Sequence, residues 1–302
     1  MNNLPIVIKP AAARRGVTPR SPNKTLLNPT SGFLGAGFTH TLNIYQGCAF
    51  ARALCGTYCY AQQIPWVSKN RPWGLYAAKA DIVAAYQRDH DAVRRRPGKP
   101  LRVFMSSITD PYLPQESTLR LTRSVLEAML DRPPNTIVIQ SHSTLVIRDL
   151  DLIEVLSRRC ELWVSLTVET DMDPVPGFPP HATAPSQRID TLQAFRDRGI
   201  RTQAAMSPLL PLRDPSDLAR RLEAACDRVI LDHYLIGDGS PTGDGQRTRR
   251  LGFEQRLIAQ GFAEWTTLDK LWETRDLLRD VLGAHRVLIG CEGFNAVGEI
   301  PG

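Results

Sequence analysis

The chain has 302 residues, 42% of them hydrophobic, and a formal net charge of +6. That length suits one large α/β domain or two modest ones, and that composition belongs to a globular chain with a sizeable core rather than a disordered or fibrous one. No run approaches the ~20 apolar residues of a membrane span, and the N-terminus (MNNLPIVIKPAAARR) lacks the basic start and long apolar stretch of a secretory signal, so a cytoplasmic protein with no membrane partner is expected.

Residues 1–36 are rich in Pro, Gly, Ser and basic residues and read as an extended arm without its own core. Strand-like and helix-like runs then alternate. Thr39–Tyr45 (THTLNIY) reads as a first strand and Leu75–His90 as a helix with Ala, Ile and Val on one face. Leu101–Ser106 is a second strand, and Glu116–Leu130 a helix that ends before Pro133 and Pro134, since proline cannot continue the hydrogen-bond ladder. Thr136–Gln140 is a third strand, followed by a helix over Asp149–Arg159 with Asp149 as its N-cap. Glu161–Val168 is a fourth strand, Pro185–Arg198 a helix closed by Gly199, and Thr202–Ser207 a fifth strand. Pro215–Cys226 is a helix and Arg228–Leu235 a sixth strand. A Gly/Asp loop at Gly237–Gly245, helices near Gln246–Gln260 and Thr267–Leu282, and a short run at Arg286–Gly290 complete the chain.

Six consecutive βα units imply an α/β fold with a mainly parallel sheet covered by helices, either closing partway into a barrel or forming an open doubly wound sheet. In both, chemistry belongs at the C-terminal ends of the strands. The expected organisation is an arm (1–36), a core (37–236) and a C-terminal helical extension (237–302). Arginines gather at Arg14, Arg15 and Arg20, at Arg94, Arg95 and Arg96, and at Arg247, Arg249 and Arg250. They read as solvated surface, with a polyanionic partner such as nucleic acid as the functional alternative.

Three of the six cysteines, Cys48, Cys55 and Cys59, share one loop directly after the first strand. Clustering in a reducing compartment points to metal or redox chemistry rather than a disulfide framework. Three thiolates can ligate three irons of a cubane cluster and leave the fourth iron for a non-protein ligand. The competing reading is a structural zinc, which wants four N/S donors and would take His40 as the fourth. Cys160, Cys226 and Cys291 are scattered: Cys160 and Cys226 follow helices and read as structural, and Cys291 reads as a small buried hydrophobe, with a thiol reaching the site as its functional alternative.

The segments N-x-Y-x-G-C (Asn43 to Cys48), Y-C-Y-A (Tyr58 to Ala61), S-x-T-D-P-Y (Ser107 to Tyr112) and L-T-R (Leu121 to Arg123) occur in that order. They are followed by I-R-D-L-D-L-I (Ile147 to Ile153), V-S-L-T-V-E-T (Val164 to Thr170), A-P-S-x-R (Ala184 to Arg188) and M-S-P-L-L-P (Met206 to Pro211). Over roughly residues 38–236 this pattern resembles the radical S-adenosylmethionine (SAM) superfamily, in its spore photoproduct lyase-related branch. The resemblance implies a partial (βα)6 TIM-like barrel. It implies a [4Fe-4S] cluster on Cys48, Cys55 and Cys59 that reductively cleaves SAM to a 5′-deoxyadenosyl radical for hydrogen abstraction. Tyr58 would lie against the SAM adenine. Ser106, Ser107, Thr109 and Asp110 would face its amino group and ribose, and Ser165 and Thr167 would be further contacts. An electron donor of the flavodoxin or ferredoxin type is implied, and a nucleic-acid substrate is a candidate. The catalytic residues, the substrate and the oligomeric state stay open.

The chain departs from the family pattern at three places. The cysteines are spaced C-x6-C-x3-C where the family has C-x3-C-x2-C. Ser107 stands where the lyase branch carries its hydrogen-donor cysteine, which argues against spore photoproduct repair itself. Ser141-His142-Ser143 replaces Thr-Lys-Ser, so His142 would have to supply the contact to the SAM carboxylate.

Overall fold

The computed structural model describes residues 25–68, 73–96, 98–237 and 244–297. Most of the arm, with Arg14, Arg15 and Arg20, lies outside the described residues, as do 238–243 of the Gly/Asp loop and the chain from 298 onward.

An eight-stranded sheet organises the chain: β1 (Leu27–Pro29), β2 (His40–Leu42), β5 (Arg102–Met105), β6 (Thr136–Ser141), β7 (Glu161–Thr167), β8 (Arg201–Met206), β9 (Arg228–Leu231) and β10 (Val287–Ile289), in that spatial order. A separate antiparallel ribbon pairs β3 (Tyr45–Gln46) with β4 (Ala77–Ala78). All neighbours in the large sheet are parallel except β1, which pairs antiparallel with β2. The sheet curves into a partial barrel, and β1 and β10 form its two edges without pairing to each other.

Side chains alternate between the two faces of each strand. Leu42, Val103, Met105, Ile137, Ile139, Val164, Leu166, Ala204, Met206, Val229 and Leu231 point outward into the main core, against helices such as Ile82–Arg94, Leu121–Asp131, Pro185–Asp197 and Pro215–Ala225. Each fully buried Leu, Ile or Val contributes ~1.5–3 kcal/mol. The inner face carries Phe104, Val138, Trp163, Ala205 and Ile230, packed with Phe38 and Phe294. Helix starts follow local chemistry: Asp214 accepts from the Asp217 amide at 2.9 Å, with Pro215 at the first helical position.

Several boundaries differ from the sequence expectation, each for a local reason. The first strand stops at Leu42, and Tyr45–Gln46 pairs instead with Ala77–Ala78, so the helix expected from Leu75 begins only at Ile82. The helix expected at Glu116–Leu130 breaks at Arg120 (φ 50°) because the Glu116 carboxylate turns back to accept from the Leu121 and Thr122 amides at 3.1 and 3.0 Å. Asp149 holds the N-cap position before Leu150, but its carboxylate makes no capping bond, because Arg148 and Arg123 take it up at 2.7 and 2.9 Å. The sixth strand ends at Leu231, where the His233 ring accepts from the Leu235 amide and starts a short helix, Tyr234–Gly237. The helix expected over Gln246–Gln260 splits at Gly252 (φ 71°). The run Arg286–Gly290 contains a seventh parallel strand, β10, and within the expected arm Leu27–Pro29 forms the antiparallel edge. Cys291 is exposed on the Gly290–Asn295 helix, 3.0 Å from the Phe33 carbonyl, and is not a buried hydrophobe.

Glu116, Arg148, Asp149 and Arg123 form one ion-pair chain behind the β3–β4 ribbon, with the Tyr45 hydroxyl donating to Glu116. Glu116 and Asp149 are fully buried. Removing one partner of a buried pair leaves an uncompensated charge. Arg148→Met is therefore expected to lower the unfolding free energy by about 3–5 kcal/mol in urea titration, and the added change Glu116→Gln is expected to recover part of it. A loss below about 1 kcal/mol for the single variant would show that the network is solvated.

Candidate active site

The cysteine loop leaves β3 at Gly47, whose φ is +72° and whose Cβ, if present, would lie 2.1 Å from the Leu75 carbonyl oxygen. Only glycine fits there. Three short 3-10 turns follow, Ala49–Arg52, Leu54–Thr57 and Tyr60–Gln63, with Cys48 and Cys59 at turn entries and Cys55 inside the second. All three cysteines are free thiols, and all three line one cavity of about 540 Å³ at the C-terminal ends of the strands. Burial pushes the Cys48 thiol up to about 12, with Asp110 and Cys59 adding to it, and burial pushes Cys59 up to about 11. Burial, then Cys48 and Cys59, raises Cys55 well above the ordinary thiol value. Burial thus raises all three thiols, and a bound cation would reverse that penalty.

The donor set fits a cubane cluster. The Phe50 and Asp110 amides are directed at the Cys48 sulfur. The Nε2 atom of His142 is buried and faces the cavity without a partner among the described residues. Among the described residues, no group of three or more His, Cys, Asp or Glu side chains is already placed to hold one metal ion. A cubane asks each thiolate to bind a different iron, whereas zinc asks for four donors on one centre. His40 is not in this cavity. Its neighbour Thr41 lines it, while His40 bonds the Thr39 hydroxyl at 2.9 Å; burial lowers its pKa, against the nearby Asp89.

The remaining candidates separate into cavity-facing and scaffold groups. Tyr58, Ser106, Ser107, Thr109, Asp110, His142 and Thr167 line the cavity. Ser106 does so with φ +83°, a strained conformation for a side chain-bearing residue. The Thr109 hydroxyl donates to the Gly47 carbonyl at 2.6 Å, tying its loop to the cysteine loop. The Asp110 carboxylate accepts from the Tyr112 amide, the Ser141 hydroxyl and the His142 amide at 2.8, 2.8 and 2.7 Å, which makes it a clamp between the loops after β5 and β6. Ser165 lies outside the cavity wall, fully buried in the barrel lumen between Gln140 and Gln203.

Sequence reasoning missed Gln140, Ser207, Asp232, Arg247 and Thr248, which also line the cavity. Ser207 and Asp232 follow β8 and β9 directly and are joined by a 2.9 Å hydrogen bond, so the strand-end rule would have found both had the fifth strand been ended at Met206 and the sixth at Leu231. Also missed was a buried ion pair behind the cysteine loop. Arg188 meets Glu169 at 2.8 Å, His181 lies 3.3 Å from Glu169, and the Tyr58 hydroxyl donates to Glu169 at 3.4 Å.

Burial opposes the charge on Glu169, yet Arg188 and His181 overcome it and hold the carboxyl well below the usual carboxylate range. A depressed folded-state pKa contributes stability that is present above the unfolded value, ~4.3, and lost as pH falls below it. The stability margin of wild type over Glu169→Gln is therefore expected to be constant from about pH 5 to 7 and to shrink steadily below ~4.3. Denaturant titrations at several pH values read this directly; a margin independent of pH down to 3 would mean that the fold leaves the Glu169 carboxyl unshifted.

No protein-family model matches the chain. It is 30% identical over 190 residues to an uncharacterised protein of Methanocaldococcus jannaschii, covering 62% of this chain and 66% of that one. It is 31% identical over 189 residues to an uncharacterised protein of Acidianus two-tailed virus, covering 61% and 58%. The matches thus span less than two thirds of either relative's length. Among solved structures, spore photoproduct lyase complexed with dinucleoside spore photoproduct superposes with a TM-score of 0.58 at 13% identity, covering 88% of this chain and 79% of the other. A variant of that lyase with bound AdoMet and the same dinucleoside gives 0.56 at 12% identity with the same coverage. In fold, the chain is similar to spore photoproduct lyase.

Proposed function

We propose that this protein is a radical SAM enzyme that abstracts hydrogen from a substrate held in the cavity above the sheet. The observation that carries the reading is the joint opening of three free thiols, Cys48, Cys55 and Cys59, into one cavity at the C-terminal ends of parallel strands. These thiols would hold a [4Fe-4S] cluster. When bound, such a cluster supplies the electron that splits SAM into methionine and a 5′-deoxyadenosyl radical. The chain's own residues bind and orient. Tyr58, pinned by Glu169 and edge-on to Phe253, offers a ring against the adenine. Ser106, Ser107, His142 and Thr167 offer polar groups to SAM, while Thr109 and Asp110 hold the loops that carry them.

The substrate would enter against the opposite wall, where Asp232, Ser207 and Arg247 stand. The net positive charge makes nucleic acid the first class to test. Spore photoproduct repair itself is not proposed, because Ser107 replaces the cysteine that would donate hydrogen. The electron would come from a flavodoxin or ferredoxin type donor in the cytoplasm. The zinc alternative is disfavoured by the position of His40 outside the cysteine cavity.

Anaerobic reconstitution tests the proposal. Iron, sulfide and zinc are measured in the wild type and in Cys48→Ala, Cys55→Ala and Cys59→Ala, and 5′-deoxyadenosine is measured after adding dithionite and SAM. About four irons and four sulfides per chain, the content of one cubane, are expected in the wild type. Cluster and 5′-deoxyadenosine should both be lost in each variant. One zinc without sulfide would overturn the reading in favour of a metal-stabilised binding module.

A further inference from the structure

A single file of buried polar groups crosses the barrel lumen and ends at the cavity. Arg228 Nε donates to Gln203 Oε1 at 2.8 Å, and Gln203 Nε2 donates to Ser165 Oγ at 2.8 Å. Ser165 Oγ donates to Gln140 Oε1, and Gln140 Nε2 donates to Thr167 Oγ1 at 2.9 Å. The links come from β9, β8, β7 and β6 and return to β7. All five residues are buried, and only the last two, Gln140 and Thr167, line the cavity.

The direction of this file is imposed from one end. A guanidinium carries donors and no acceptor. The Arg228 guanidinium stacks on the Trp163 ring at 3.8 Å and donates from Nη1 to the Ala296 carbonyl, so it is fixed in place. Burial lowers its pKa to about 10, which leaves it charged at neutral pH. Gln203 must then turn its oxygen to Arg228 and its nitrogen to Ser165. The Ser165 oxygen accepts, so its proton passes to Gln140 Oε1, and the Gln140 nitrogen must donate to Thr167. The Thr167 oxygen has thereby accepted, and no acceptor for its own proton lies among the described residues.

We propose that Arg228 is a positioning residue which, through Gln203, Ser165 and Gln140, fixes the Thr167 hydroxyl as a hydrogen-bond donor to the cavity, so that the ligand atom it meets is an acceptor. On SAM this selects the carboxylate, a ribose oxygen or an adenine nitrogen, and it excludes the ammonium group. The identity of the ligand rests on the function proposed above; the direction of the file does not.

Gln203→Glu reverses the file without changing its shape. The introduced carboxylate still accepts from Arg228 but cannot donate to Ser165. Ser165 must then donate to it, Gln140 must turn over to donate to Ser165, and Thr167 must donate to Gln140. The cavity would now meet a hydroxyl oxygen with no proton to offer. Dissociation constants for SAM are measured on the reconstituted protein by equilibrium dialysis. Gln203→Glu is expected to weaken SAM binding tenfold or more with no fall in thermal midpoint. It should have no further effect in a Thr167→Val background, and Arg228→Lys, which keeps a donor, should stay near wild type. Equal weakening in both backgrounds, or none, would overturn the proposal. The ligand-free protein gives a second readout: the side-chain amide NMR signals of Gln140 should move in Gln203→Glu as that group changes partners. A wild type that ignores SAM but shows this shift would refute the function proposed above and keep the file. SAM binding with an unmoved Gln140 amide would refute the file and keep the function.

Discussion

The arrangement of the cavity depends on one asparagine. Asn43 follows β2 directly, and its side-chain oxygen accepts from the Ile108 and Thr109 amides at 3.0 and 3.3 Å while its nitrogen donates to the Ser107 hydroxyl at 3.0 Å. One planar amide thereby replaces the ladder where β2 and β5 stop pairing. It fixes the loop after β5 relative to the start of the cysteine loop. The Thr109 bond to Gly47 and the Tyr60 bond to the Ser107 carbonyl then close the joint from the other side. Without Asn43, three backbone or hydroxyl groups near the cavity would lose partners together, and the thiols would have no set position against Ser106 and Ser107.

Behind this joint the chain repeats one solution: buried charges, two of the three sets ion-paired, back the cavity wall and the lumen. Arg188 with Glu169 backs Tyr58, Arg148 with Glu116 and Asp149 backs Tyr45, and Arg228 stacked on Trp163 underlies the lumen file. Such pairs are weak contributors to net stability compared with apolar packing, since desolvation offsets much of the attraction. What they provide is direction. Each fixes which atoms of a neighbouring polar group donate and which accept, and a site that must orient a polar ligand needs that information more than it needs extra stability.

The sheet was legible because period-two patterning survives in runs such as TIVIQ and ELWVSLTV, and the resemblance named Ser106, Ser107, Asp110, His142 and Thr167, which all line the cavity. The same alternation would have shown that His40 shares the outward face with Leu42 and so cannot reach the cysteines. What could not be read depends on partners far apart in the chain. Glu116 breaks its own helix by capping the next one, and periodicity alone reads straight through that break. Gln203 in RTQAAM and Arg228 in RVIL look like ordinary strand residues until β7, β8 and β9 are laid side by side. Val287–Ile289 is too short to carry a pattern and becomes a strand only because β9 offers it a free edge.

The lengthened cysteine spacing also acquires a physical account. Extra residues in a loop cost little closure entropy in themselves, but a loop that must present three sulfurs needs anchors between them. Residues between and just after the cysteines supply such anchors here. Phe50 and Leu54 are buried in the main core, and the Leu54 amide donates to the Pro180 carbonyl at 2.8 Å. Gly56 approaches Ala51 so closely that a Cβ would lie 2.0 Å from its carbonyl oxygen. The Gln62 side chain donates back to the Gly56 carbonyl at 2.6 Å. The stretches around the cysteines are thus folded into 3-10 turns and fastened to the rest of the chain. A longer spacing is thereby compatible with a fixed loop, because what a cluster would require is the placing of the three thiols and not the number of residues between them.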